Sequence, residues 1–319
     1  MTARLPIAIF VCAALLAVLA LRQPAAVEGY ADGDSTQAAP ARRTGSVDTR
    51  LDPFTVAGPS VSSTTIVAGA TPHWRTAFER SDDLFVLLRS LESAAAAGDV
   101  EARWLASRVH EYCAPVARSP IGYARDTALI GSLGLRGAAP LSAARSRVGH
   151  RCARFLPTDT LSFTQLVEAR QAAALAGSLP AEAALLAMGE PLDDDADYKA
   201  ALVDRVQASR DPEAFVALAP AMGVAASDDA ALAGRVAGTQ GAELAWHLAG
   251  CRLGQACGPD SALMTQYCAN GGICAQNGEP DFETLVREAA IPPADADEIE
   301  AMVDALVRDE EQLVGVVAK

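Results

Sequence analysis

Lysine is almost missing from this chain. Of its 26 basic residues only Lys199 and Lys319 are lysines, no basic cluster exceeds two adjacent residues, and the formal net charge over 319 residues is −14. An acidic surface repels phosphates unless a local basic patch overrides it, so nucleic acid is not expected as a partner. Histidine is scarce too: His73, His110, His150 and His247 are the full set, and none lies in an H-E-x-x-H motif. There is no G-x-S-x-G nucleophile elbow and no phosphate-binding P-loop. The sequence therefore implies no cofactor and no metal, and it assigns no catalytic residue. Aromatics make up only 5% of the chain, which leaves little bulk for a rich core. Alanine is what the chain has in excess, at 68 residues. Alanine is the best intrinsic helix former and is poor in strands, so an all-α fold is expected and an all-β fold is not.

The N-terminus reads as an export signal. A single positive charge in residues 1–4 precedes the apolar run Leu5 to Leu21, which Arg22-Gln23-Pro24 closes. Such a run is longer than a usual signal core and sits at the lower limit for a membrane span of about 17–25 residues. Residues 1–22 are thus a signal peptide or a membrane anchor, with retention as an anchor the preferred reading. Cys12 lies mid-run after Phe10-Val11, without the small neighbour that lipidation requires. Residues 23–72 carry Pro24, Pro40, Pro53, Pro59 and Pro72 among small polar residues. This is the composition of a disordered linker, with a typical reach of roughly 40 Å by random-coil scaling.

Six cysteines remain beyond Cys12: Cys113, Cys152, Cys251, Cys257, Cys268 and Cys274. An even number behind an export signal reads as disulfides. Cys113 and Cys152 each end the phrase Arg-Val-x-x-x-Cys, so each is expected to close an equivalent helix, and they form the natural long-range pair. The other four make two C-x5-C segments, each with a glycine three residues after the first cysteine (Gly254 and Gly271), which suits a helix C-terminus that turns back. Local clips Cys251–Cys257 and Cys268–Cys274 are expected, with Cys251–Cys268 as the rival. Zinc is an alternative at His110-x2-Cys113 and His150-x-Cys152, but an oxidising compartment favours the disulfide, and the last four cysteines lack C-x2-C knuckles.

Helical periodicity begins near Trp74. Leu84, Phe85, Leu87, Leu88 and Leu91 form a stripe that ends at Gly98, after which Asp99 is placed to cap the next helix and Glu101 lies in its first turn. A related phrase returns at Ala176 to Ala183, Ala208 to Ala214 and Ala237 to Glu243, with glutamates at 101, 182, 213 and 243. The last two intervals are 31 and 30, and the cysteine phrase repeats after 39. A period of 30–40 residues is that of helix-pair solenoids, whose units bury an apolar face only against the next unit. Trp104, Phe215 and Trp246, at related places after their glutamates, supply the bulky fillers.

This phrase, A-x-x-G-D-x-E-A-x-W, with the period and the cysteine-bearing helices, resembles Sel1-like repeats, relatives of the tetratricopeptide class. The segment from Trp246 to Cys274 is similar to a cysteine-rich part of exported proteins of Gram-negative bacteria. The likeness covers residues 84–275 in patches, and the region 114–140 fits no unit. It implies a solenoid or an irregular helical array that contacts other proteins, with residues 73–280 as the repeat domain and 281–319 as capping helices. Together with the export signal, it implies location in the periplasm, with another envelope protein or peptide as partner, and the N-terminal run gives access to the inner membrane through residues 5–21.

Two further constellations bear on function. Asp193, Asp195, Asp197 and Asp204 fall at calcium-loop positions 1, 3, 5 and 12, but Tyr198 stands where the loop needs glycine and Asp204 where it needs a bidentate glutamate. The acids are read instead as the cap of a helix from about Asp195 to Ala208. Glu101 and Glu243 are nominal acids for a helical cell-wall glycan-cleaving enzyme, the alternative to a binding scaffold. Their recurrence as repeat positions favours a structural role. His247, beside Trp246, reads as a helix-interface residue.

Overall fold

The computed structural model describes residues 74–275 and 280–308. The signal or anchor segment 1–22, the linker 23–72, His73 and the Leu313-Val314 end of the capping segment lie outside the described residues. Among the described residues there are thirteen α-helices and no strand, so the fold is all-α. The helices are α1 (Trp74–Arg80), α2 (Leu84–Ala96), α3 (Val100–Arg118), α4 (Pro120–Ser132), α5 (Ala138–Arg151), α6 (Phe163–Leu175) and α7 (Leu179–Ala187). They continue with α8 (Ala196–Ser209), α9 (Pro212–Met222), α10 (Gln240–Arg252), α11 (Ala262–Gly271), α12 (Phe282–Leu285) and α13 (Ala296–Val307). No helix among the described residues is long and apolar enough to cross a membrane.

The recurring phrase encodes a helix stop followed at once by a helix start. Gly98 and Gly177 adopt φ of +100° and +102°, a left-handed turn that side chains with a Cβ resist. In both turns the next N–H reaches back to a carbonyl of the finished helix, Asp99 to Ala94 and Ser178 to Ala173, each at 3.0 Å. The same residues then cap the helix that begins there: Asp99 accepts from Ala102 N–H and Ser178 from Ala181 N–H. Asp211 and Thr239 cap α9 and α10 in the same way. Free N–H groups at a helix start are satisfied by these oxygens, which is why the phrase recurs where helices begin.

The acidic run Asp193–Asp197 is a cap as well. Asp195 accepts from the N–H groups of Asp197 and Tyr198, Asp194 pairs with Lys199, and Asp204 pairs with Arg235.

Alanine and glycine set the helix spacing. Ala214 and Ala219 of α9 are buried with Ala245 and Ala249 of α10. A Cβ on Gly250 would stand 2.8 Å from Val216 Cγ2 and 3.1 Å from the Pro212 carbonyl, so the helices meet where a side chain is absent. Phe215 and Trp246 fill the remaining width with ring centroids 5.0 Å apart.

Successive neighbours run α2–α3, α3–α6, α6–α7, α7–α9, α9–α10 and α10–α13. The array then turns back on itself, because α11 packs on α5. Ala262 N–H at its start donates to Glu79 Oε2 of α1 at 2.9 Å, and Arg147 pairs with Asp260 at 2.5 Å. The hairpin α4–α5, which includes much of the stretch that fits no repeat unit, supplies the face that α11 covers. The array is therefore irregular and closed on this side. Two apolar clusters result: one holds α1–α6 with one face of α11, the other holds α8–α10, α12 and α13 with Leu263 and Met264 of α11, and α7 contributes to both.

Three disulfides staple the body: Cys113–Cys152, Cys251–Cys257 and Cys268–Cys274. Such bonds fit an oxidising compartment. Two local expectations are corrected. Cys113 does not close a helix; it lies inside the 19-residue α3, while Cys152 follows the last residue of α5. The left-handed turn after α11 falls on Gly272 and not on Gly271.

Candidate functional site

A cavity of about 590 Å³ opens between the two apolar clusters. Its walls come from α3, α6, α7, α9, α10 and α11, so it exists only because α11 returns across the array. Its size is within the range that holds a small ligand or a few peptide residues.

The four repeat glutamates give the site its logic. Each sits in the first turn of its helix, after the capping residue. Glu101 accepts from Arg75 Nε at 2.8 Å. Glu182 accepts from the Tyr198 hydroxyl at 2.5 Å and from Arg205. Glu213, 3% exposed along its side chain, accepts from Arg108 and from Trp104 Nε1. The fourth, Glu243, has no hydrogen-bond or ion-pair partner for its carboxyl among the described residues, and it lines the cavity. Three of these positions are structural, as their recurrence suggests. Glu243 departs from that expectation, and Glu101 takes no part in the cavity.

The Glu243 carboxyl lies half-buried against Gly223, where a Cβ would stand 2.5 Å from Oε2. Burial pushes its pKa up with nothing to oppose it. Tyr267 faces it from α11. Burial first, and then the charge of Glu243, raises the pKa of its hydroxyl. His247, one turn beyond Glu243 on α10, is buried edge-on to Tyr267 and Phe282 at 5.5 and 5.8 Å, and its Nδ1 has no partner. Burial lowers its pKa to about 4, so the ring is neutral at ordinary pH. Its interface position is as the sequence suggests.

The opposite wall is charged but internally balanced. Burial disfavours the Arg108 cation, yet Glu213, Glu79 and Glu111 together outweigh that and raise its pKa. Arg170 pairs with Glu111 at 2.6 Å and lies 5.4 Å from the Trp104 ring centroid. Apolar surface from Val216, Leu244 and Leu263 completes the lining. At the rim, the amides of Gln240, Gln266 and Asn270 have no partner among the described residues. Gln266 and Asn270 are four apart and so share one face of α11.

Cys113 and Cys152 are bonded to each other, which removes both from the zinc alternative. His110 Nδ1 lies 3.2 Å from the Asp159 carbonyl, and His150 is exposed. Sequence reading did not find Tyr267, Arg170 or the Arg108–Glu213 pair. The i,i+4 amides on α11 were the signal available, and it has meaning only once α11 is known to face a cavity.

Fold and site together define a disulfide-stapled, all-α protein with an internal cavity whose polar lining is incompletely paired. No family model, no curated protein and no solved structure matches the chain.

Proposed function

We propose that this is a periplasmic helical-repeat protein of Sel1-like kind that binds a segment of another envelope polypeptide, held at the inner membrane by residues 5–21. Support for the binding role comes from one observation: among the described residues the half-buried Glu243 carboxylate of the cavity has no partner, on a scaffold where the other glutamates of the recurring phrase are all paired. Buried polar groups are ordinarily hydrogen-bonded, and groups left open in a concave site are complemented by what enters it. The amides of Gln240, Gln266 and Asn270, exposed or half-exposed at the rim, offer both donor and acceptor, as a peptide group requires. The N-terminal apolar run and the disulfides support export.

The test is selection of displayed random hexapeptides on the whole chain, followed by affinity measurement on Ala217→Trp, which fills the cavity. Selected peptides should compete for one site and lose at least tenfold in affinity on that variant while its melting temperature stays close to the parent's. Peptides indifferent to Ala217→Trp would overturn the binding reading.

Glu243 also favours a second reading, a helical enzyme that cleaves cell-wall glycan, since a half-buried carboxyl with a raised pKa suits a general acid. Two-carboxylate glycoside hydrolysis needs a second free acid. Glu111 and Glu213, the other carboxylates of the cavity, are each held by an arginine. Soluble fragments released from peptidoglycan by the parent protein and not by Glu243→Gln would decide for the enzyme.

A further inference from the structure

We propose that the cavity receives a lysine or arginine side chain of the bound polypeptide, with the Glu243 carboxylate as its counter-ion. This rests on the peptide-binding reading and specifies what that reading leaves open.

Charge balance gives the sign of the ligand. Arg108 with Glu213, and Arg170 with Glu111, cancel in pairs, so Glu243 leaves the lining one negative charge in excess. An anionic ligand would need a free cation, and both arginines of the cavity are already engaged by carboxylates. A carboxylate held half out of water with no partner is destabilised, and an entering cation relieves that cost. The chain as a whole, at −14, attracts cationic partners over longer range.

The walls give the shape. Leu244, Leu263 and Val216 offer apolar surface for a methylene stem, the part of a basic side chain that packs on apolar neighbours while its head stays polar. Tyr267 presents an aromatic ring and a hydroxyl beside the carboxylate, and cations are attracted to ring faces. The cavity already holds one such arrangement, Arg170 over Trp104. The amides of Gln266 and Asn270, on one face of α11, and of Gln240 at the start of α10 are placed at the rim, where the backbone of the same peptide would lie. A volume of about 590 Å³ exceeds one side chain and accommodates flanking residues.

The experiment uses the full chain and a hexapeptide from the selection above, synthesised with its basic residue and again with norleucine, which keeps the stem and removes the charge. Each is titrated calorimetrically against the parent, Glu243→Gln and Ala217→Trp. The basic peptide should bind the parent at least tenfold more tightly than the norleucine peptide, and Glu243→Gln should abolish that difference. Equal binding of the two peptides to the parent, with Ala217→Trp still eliminating both, overturns the cation inference and leaves the peptide reading standing. Peptides unaffected by Ala217→Trp overturn both. n-Butylamine binding as tightly as the basic peptide would assign the site to small amines and overturn the inference as well. An unchanged melting temperature for Glu243→Gln shows that a lost preference is not lost folding.

Discussion

At the scale of single residues, the informative contrast is among the first-turn glutamates of the recurring phrase, with Glu101 and Glu213 two residues after their caps and Glu182 and Glu243 four. Glu101, Glu182 and Glu213 each hold two helices together through an arginine, whereas the Glu243 carboxyl has no partner among the described residues. The identity of the residue was visible in the sequence and its difference was not, because a partner's absence is a property of the neighbours. His247 shows the energetic side of the same neighbourhood. It is packed against Tyr267 of α11 and Phe282 of α12, with Glu243 one turn back on its own helix. Its pKa falls to about 4 in the folded protein against an ordinary 6.5. Between those values the unfolded chain binds the extra proton, so stability is fully present above pH 6.5 and declines as the pH drops towards 4, by on the order of 3 kcal/mol for complete titration. Glu243, raised by burial, contributes the opposite slope above the ordinary carboxylate range. In urea denaturation followed from about pH 4 to 6.5, His247→Gln should therefore gain less stability with rising pH than the parent does, or lose some. An unchanged slope would mean that the buried ring is not what titrates.

At the scale of elements, helix starts and stops were legible because their chemistry is local. A glycine with positive φ followed by an oxygen-bearing residue needs no tertiary contact to end one helix and begin another. Asp99 illustrates how much rests on one such residue, since its carboxylate accepts from Ala102 N–H at 2.9 Å and from Trp74 Nε1 at 2.8 Å. Asp99→Ala removes the cap of α3 and the tie to α1, and should cost about 1–2 kcal/mol of unfolding free energy in urea titration. Asp99→Asn, which keeps an accepting oxygen, should lose less. The helix expected from Asp195 begins at Ala196 for the same reason, and the stripe from Leu84 to Leu91 is buried at all of its leucines. Cys113 departs from expectation because a repeated phrase marks a helical face and not a helix end. Nothing after Cys113 breaks the helix until Ser119 and Pro120, and Pro115 is accommodated within it.

For the molecule as a whole, the staples act at two ranges. Cys113–Cys152 closes a separation of 39 residues and ties α3 to α5, while the other two bridges close separations of 6. Chain-entropy scaling gives about 4 kcal/mol for the long bridge and about 2 kcal/mol for each short one. Replacing Cys113 and Cys152 together by alanine should accordingly lower unfolding free energy about twice as much as replacing Cys251 and Cys257. Equal losses in chemical denaturation would show that the bridges do not act through loop closure. The long bridge also holds α5, the surface on which α11 rests, so its removal is expected to weaken the peptide binding proposed for the cavity along with stability.

The sequence by itself determined the helical class, the caps, the spacing of small residues at interfaces and the pairing of the six cysteines preferred from their spacing. All of these follow from propensity, hydrogen-bonding chemistry and distance along the chain, which act between near neighbours or through covalent bonds. The cavity was decided only by tertiary structure. It depends on α11 crossing from one apolar cluster to the other and docking on α5, a contact between residues far apart in the chain with no local signature. Whether a glutamate in a first turn becomes a strut or an open carboxylate is set by which helix arrives opposite it.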